Sequence, residues 1–201
     1  VDSYETGSVK INNKPLKKNS PITAIAEKIA LVPEDRRLQG LFMSTSISKN
    51  AAVTSLGRIR KAFLISARAE QELSEQWTMV MQTKFASIQD PVERLSGGNQ
   101  QKVTIGRWVT TGFDLLLCFD PTRGIDVGAK DEIYRLLTKL AEEGKSIIMI
   151  SSELPEVLRL SDRIAVMCDG RLTGIIDNKD ADQNKIMNLA TKFSNDLTTA
   201  N

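Results

Sequence analysis

The sequence predicts an α/β protein: a parallel sheet with flanking helices, into which a helical subdomain is inserted. Three observations lead there. Two apolar runs of strand length, Leu115–Phe119 (LLLCF) and Ile147–Ile150 (IIMI), are separated by residues whose apolar members recur at helical spacing. Between residues 44 and 112 the pattern changes to one that is helical, polar and without convincing strands. No apolar run approaches the roughly 20 residues needed to span a bilayer, so the apolar residues build a core.

Each element follows from local chemistry. Residues 8–12 (SVKIN) alternate and read as a short strand, with Asn13-Lys14-Pro15 as its turn. Ser20 is a helix N-cap and Pro21 the first helical position, leading into ITAIAEK. Ile29–Val32 (IALV) is a short apolar strand ended by Pro33. Leu73, Trp77, Val80 and Lys84 recur as in a helix covering a core. Leu115–Phe119 is a buried strand, and Ile133, Leu136, Leu137 and Leu140 place a helix behind it. Gly144 caps that helix, and Ile147–Ile150 is a second buried strand. A helix near 153–161 follows, then a strand at Ile164–Met167, an Asp169-Gly170 hairpin turn and a returning strand. The order strand, helix, strand, helix, strand extends the parallel pattern. Four parts result: 1–43 and 113–180 as the pieces of one core, 44–112 as the helical insertion, and 181–201 as a short helix with a frayed tail.

Composition removes whole classes of chemistry. Among 201 residues there is no histidine, so no Ser-His-Asp or Cys-His nucleophile and no His-ligated metal. Two cysteines supply neither a structural zinc site nor a disulfide framework. They sit in or beside apolar strands, at Cys118 and Cys168, and read as inert core residues. Trp108 reads as packing, and the basic cluster of Arg58, Arg60, Lys61 and Arg68 as a solvated face. A balance of 27 Lys+Arg against 25 Asp+Glu argues against a nucleic-acid binder driven by bulk charge.

The strongest signal is Leu95-Ser96-Gly97-Gly98-Asn99-Gln100-Gln101-Lys102. A serine and two glycines at a helix start offer a hydroxyl and unhindered N–H groups pointing one way, at the positive end of the helix dipole. That is an anion site suited to phosphate.

LSGGNQQK resembles the signature motif of ABC-transporter ATPases, in the form seen in bacterial monosaccharide importers of the ribose/galactose/arabinose type. The order of the other segments agrees with it. Asp120-Pro121-Thr122-Arg123-Gly124-Ile125-Asp126 resembles the end of the Walker B strand running into the D-loop. Ser151-Ser152-Glu153 resembles the switch region, and Leu31-Val32-Pro33-Glu34-Asp35-Arg36-Arg37 the Q-loop region of the second ATPase half in tandem proteins. The resemblance spans nearly the whole chain. It implies a P-loop NTPase-like ABC ATPase core in which two halves pack head to tail around ATP and Mg²⁺. Ser96, Gly97, Gly98, Asn99, Gln100, Glu34 and Asp126 would then form the nucleotide-facing set.

The departures carry equal weight. A phosphate cradle needs G-x-x-x-x-G-K-[ST]. The only Gly-Lys-Ser, at 144–146, has Lys139 five residues earlier and precedes a strand, so it is a helix cap. The chain reads as an ATPase half that begins just after its Walker A loop. Register against Pro121-Thr122 places Phe119 at the magnesium-binding Asp and Asp120 at the water-polarising Glu, while Ser152 stands at the switch His. A phenylalanine holds no Mg²⁺, so no metal ligand is expected here. The expected role is the second ATPase half of a sugar importer, with ATP and Mg²⁺ held in a composite site. Its partners would be an N-terminal half or second ATPase subunit, membrane permeases and, indirectly, a periplasmic sugar-binding protein. It would be cytoplasmic, peripheral on the inner membrane, and would bind no nucleic acid. The alternative is a catalytically inactive regulatory or structural module that only docks a partner.

Overall fold

The computed structural model describes residues 6–17, 20–61, 64–81, 83 and 85–193, and of Arg60 and Lys61 the backbone alone. Val1-Asp2-Ser3-Tyr4, Lys84 and the expected tail beyond residue 193 lie outside the described residues. Contacts divide the chain into two compact units, Val1–Ile148 and Met149–Asn201.

The first unit opens with a hairpin, β1 (Lys10–Ile11) and β2 (Lys14–Pro15). Its turn is Asn12-Asn13, one residue earlier than the sequence suggests. Both asparagines have positive φ, 49° and 64°, the backbone that a two-residue hairpin turn demands and asparagine tolerates. Helix α1 (Pro21–Ala26) starts as expected, with Ser20 Oγ accepting from the N–H of Thr23 at 3.3 Å. Strand β3 (Ile29–Val32) follows.

The next stretch carries α2 (Ile47–Ala52), α3 (Leu56–Ile59), α4 (Ala67–Met81) and α5 (Gly97–Thr111). Leu41, Ile47, Ala51, Trp77, Met81, Val92, Leu95 and Val103 form a core cluster there. Asn50, fully buried, braces the approach to α2. Its Oδ1 accepts from the N–H of Phe42, and its Nδ2 donates to the carbonyls of Phe42, Thr45 and Ser46. Three expectations change here. A small hairpin, β4 (Arg60–Lys61) with β5 (Leu64–Ile65), interrupts the helices; its two-residue strands are too short to alternate. Val80 points outward and Met81 takes the inward position, because Leu73, Trp77 and Met81 follow the four-residue stripe. Arg58 is not simply solvated: its Nη1 donates to the carbonyls of Thr110 and Thr111, capping the last turn of α5.

Strand β6 (Leu115–Phe119) pairs parallel with β3, Ile29 opposite Leu115 through Val32 opposite Cys118. β6 is the centre of a three-stranded sheet in the order β3-β6-β7, with β7 at Ser146–Ile150. Ala30, Val32, Leu116 and Cys118 share one face and are wholly buried. The run at 147–150 is not the buried strand expected: Ile148 and Ile150 are 55% and 54% exposed. A continuous apolar run is buried only where both sheet faces are covered, and among the described residues these side chains are not. Helix α6 (Val127–Glu142) buries Ile133, Leu137 and Leu140, and ends where Gly144 takes φ 86°.

In the second unit, α7 (Leu154–Leu160) precedes the hairpin of β8 (Arg163–Cys168) and β9 (Arg171–Asp177). Asp169 and Gly170, at φ 47° and 72°, make the expected turn. Among the described residues β8 pairs with β9 alone, and antiparallel, rather than with a parallel neighbour. The two-residue turn fixes that antiparallel pairing, since it returns the chain beside the strand it has just left. Ile164, Val166 and Ile186 form the core of this unit, Ile186 coming from α8 (Gln183–Ala190). Among the described residues, no helix is long and apolar enough to cross a membrane.

Candidate functional site

The site gathers at the amino end of α5. Ser96 is the N-cap, its Oγ accepting from the N–H of Asn99 at 3.4 Å, so the hydroxyl stands at the helix mouth and remains exposed. The first N–H groups of a helix have no partner within it, and here they belong to Gly97 and Gly98. Both glycines are required by packing. A Cβ on Gly98 would lie 2.5 Å from Cβ of Ala129. One on Gly97 would lie 2.8 Å from Arg36 Nη2 and 3.1 Å from the carbonyl oxygen of Gly124. The Ser96–Gly98 turn is therefore seated directly against the loop at 120–126 and the start of α6.

That loop is shaped by its own residues. Asp120 follows β6 with φ 40°, and its carbonyl accepts from the N–H of Arg123 in a turn. Asp126 caps α6, its Oδ1 accepting from the N–H of Ala129 at 2.9 Å. Two helix amino ends thus lie side by side, α5 capped by Ser96 and α6 by Asp126. Between them is a cleft of about 230 Å³, bounded by Ser96, Gly98, Asn99, Lys102, Asp126 and Gly128. Lys102, buried, pairs with Glu132 at 2.7 Å at the edge of the cleft.

The remaining expected residues divide. Gln100 is wholly buried, and its Nε2 donates inward to the carbonyl of Leu95 at 3.0 Å. Its amide holds the turn rather than facing the cleft. Glu34 is exposed and forms an ion pair with Arg123, which joins the segment after β3 to the loop after β6. Ser152 belongs to the second unit and is exposed; beside it Ser151 Oγ donates to Oε2 of the buried Glu156 at 2.5 Å. Phe119 ends β6 and is 38% exposed, where the resemblance would place a metal-binding carboxylate. Among the described residues no group of three His, Cys, Asp or Glu could hold a metal ion.

Arg36 is the residue that sequence reasoning did not single out. Its Nη1 donates to the carbonyl of Arg123 at 2.7 Å and its Nη2 to that of Gly124 at 3.2 Å. Partial burial and the neighbouring Arg37 hold its pKa below the usual arginine value, against the opposing influence of Asp35. Two adjacent arginines at 36 and 37 were visible, but nothing local says which one reaches a loop 87 residues away.

A family model described as "ABC transporter" matches residues 2–123. The ribose import ATP-binding protein RbsA 1 of Streptomyces coelicolor is 49% identical over 191 residues, which cover 95% of this chain and 38% of that protein. The galactose/methyl galactoside import ATP-binding protein MglA of Treponema denticola is 43% identical, over 96% of this chain and 39% of its own length. The chain thus spans well under half the length of these relatives. An ATP-binding cassette solved as a dimer in a post-hydrolysis state, bound to ADP and Pi, superposes with a TM-score of 0.71 at 23% identity, covering 88% of this chain and 75% of that one. The fold is that of an ABC ATPase, present in part.

Proposed function

Since the chain belongs to the ABC-transporter family of ATP-binding proteins, we propose that it is the second ATPase half of an importer for ribose- or galactose-type sugars. In this reading its Ser96–Gly98 turn completes an ATP site whose phosphate cradle is carried by a partner half. One observation supports it above all: an exposed N-cap hydroxyl and two glycines whose side-chain space is already filled, at the mouth of a 15-residue helix. Such a surface fits the outer face of a phosphate, since the glycines let backbone N–H groups approach an anion that a Cβ would hold off.

The fit is one-sided. Ser96, Gly97 and Gly98 would hold the terminal phosphate, and Asp126 shapes the loop beside it. Bound ATP would supply the phosphates that hold the paired halves closed, and a phosphoanhydride whose cleavage would release them. Mg²⁺ finds no ligand at Phe119, so no step in this chain is assigned to it. The core at 1–43 and 113–180 would carry the partner interface, and 44–112 would face the permease. The partner half, membrane permeases and, through them, a periplasmic sugar-binding protein complete the assembly at the cytoplasmic side of the inner membrane.

A second reading, a module that docks a partner without supporting hydrolysis, is favoured by Phe119 and by Ser152 at the switch position. Adding this chain to an ATPase half that carries Walker A separates the two. ATP turnover that appears only in the mixture, and is lost with Ser96→Arg, supports the first. Turnover in the mixture that ignores Ser96→Arg sinks the composite site.

A further inference from the structure

Arg36 joins three segments that are distant in the chain. Its guanidinium fork spans two successive carbonyls, those of Arg123 and Gly124, with donor–acceptor distances of 2.7 and 3.2 Å. The same Nη2 sits 2.8 Å from where a Cβ of Gly97 would stand, so the guanidinium is wedged between the 123–124 turn and the first residue of α5. Its backbone is itself held. Asp35 Oδ1 accepts from the N–H groups of Arg37 and Leu38, capping a single wide turn at Arg36–Gly40. Glu34 adds the ion pair with Arg123. The Nε of Arg36 is buried with no partner, a cost that a freely moving side chain would avoid by turning to water.

We propose that Arg36 is a positioning residue: it locks the Ser96–Gly98 turn to the 120–126 loop. Movement of the Arg36–Gly40 turn is thereby transmitted to the helix mouth 60 residues further along the chain. Lysine cannot take its place, because a single ammonium reaches one carbonyl where the planar fork reaches two. The functional consequence rests on the reading above, that the turn faces a nucleotide phosphate; the clamp itself rests on geometry.

The test uses the whole chain as Arg36→Gln and Arg36→Lys variants. Amide hydrogen exchange is read at Asn99, whose N–H bonds to Ser96 Oγ, and at Ile125, whose N–H bonds to the carbonyl of Thr122. Both variants are expected to exchange at these sites about tenfold faster, with the β6 amides of Leu117 and Cys118 unchanged. In the mixture with a Walker A-bearing half, both raise the KM for ATP more than they lower kcat. Unchanged exchange at Asn99 and Ile125 in Arg36→Gln overturns the proposal. Full rescue by Arg36→Lys also overturns it, since charge alone would then suffice, and so does faster exchange throughout β6, the mark of general loosening. The two readings fail separately. If exchange responds as expected but the wild-type mixture shows no turnover, the clamp stands and the nucleotide site falls. If turnover depends on Ser96 while exchange and KM ignore Arg36, the reverse holds.

Discussion

Gly106 gives Trp77 its seat. A Cβ on Gly106 would fall on the indole nitrogen of Trp77 and stand 2.5 Å from Cγ of Met81, so α5 and α4 meet at a distance only glycine permits. Gly106→Ala must push the two helices apart, and a cost of about 2 kcal/mol or more is expected. Gly57, in α3, has nothing within 4 Å of its Cβ position. Gly57→Ala should instead stabilise by roughly 0.5–1 kcal/mol through the unfolded chain. Opposite shifts of the two melting temperatures check the assignment; equal shifts would refute it.

Gly97 and Gly98 should differ in what an added methyl costs. At Gly97 the nearest obstacle is the tip of the long Arg36 side chain, which can give by bending along its stem, whereas at Gly98 it is the Cβ of Ala129, fixed to the backbone of α6. Gly98→Ala is therefore expected to lower the denaturation midpoint clearly more than Gly97→Ala. A larger loss for Gly97→Ala would contradict this packing.

Gln100 acts as a brace. Removing its side chain leaves the carbonyl of Leu95 without its 3.0 Å donor in a buried position, so Gln100→Ala should cost about 1–3 kcal/mol. Ser96→Ala loses only an exposed cap and should cost about 1 kcal/mol. Urea denaturation of the two variants decides between a bracing role and a cleft-facing one for Gln100.

Arg107 is buried on α5 with Nε and Nη2 unpartnered, and desolvation pulls its pKa down to about 10. A depressed pKa on a base means that the folded state disfavours the proton it carries. The penalty is fully present below about pH 10 and fades as pH rises from there toward the ordinary arginine value. Arg107→Met, which keeps an apolar stem and removes the charge, should stabilise at pH 7 by something on the order of 3 kcal/mol. That advantage should be constant from pH 7 to 9 and shrink above pH 10. A destabilised Arg107→Met at neutral pH would show that the guanidinium is satisfied in solution.

Much of this protein was legible in its sequence because the signals are local. Ser20-Pro21 and Ser96 announce helix starts through bonds to residues three positions on, and Asp169-Gly170 announces a turn through φ alone. The same locality explains what was misread. Ile147–Ile150 looks buried because a run of apolar residues carries no record of whether both faces of its sheet are covered. The strand at 164–167 looked like another parallel member because periodicity does not say which neighbour a strand takes.

The sequence by itself determined the helix that begins at Ser96, the two glycines that follow it and the absence of histidine from every site. Tertiary structure alone decided which side chains tie that helix and its mouth to their surroundings. Arg36 reaches the carbonyl of Gly124 across 88 positions, Trp108 donates to the carbonyl of Leu31 across 77, and Gln100 turns inward to a neighbour in its own turn. Caps and turns are settled by bonds within a few residues. A contact across some eighty positions exists only once the strands and helices between its ends have packed, and no local pattern encodes that distance.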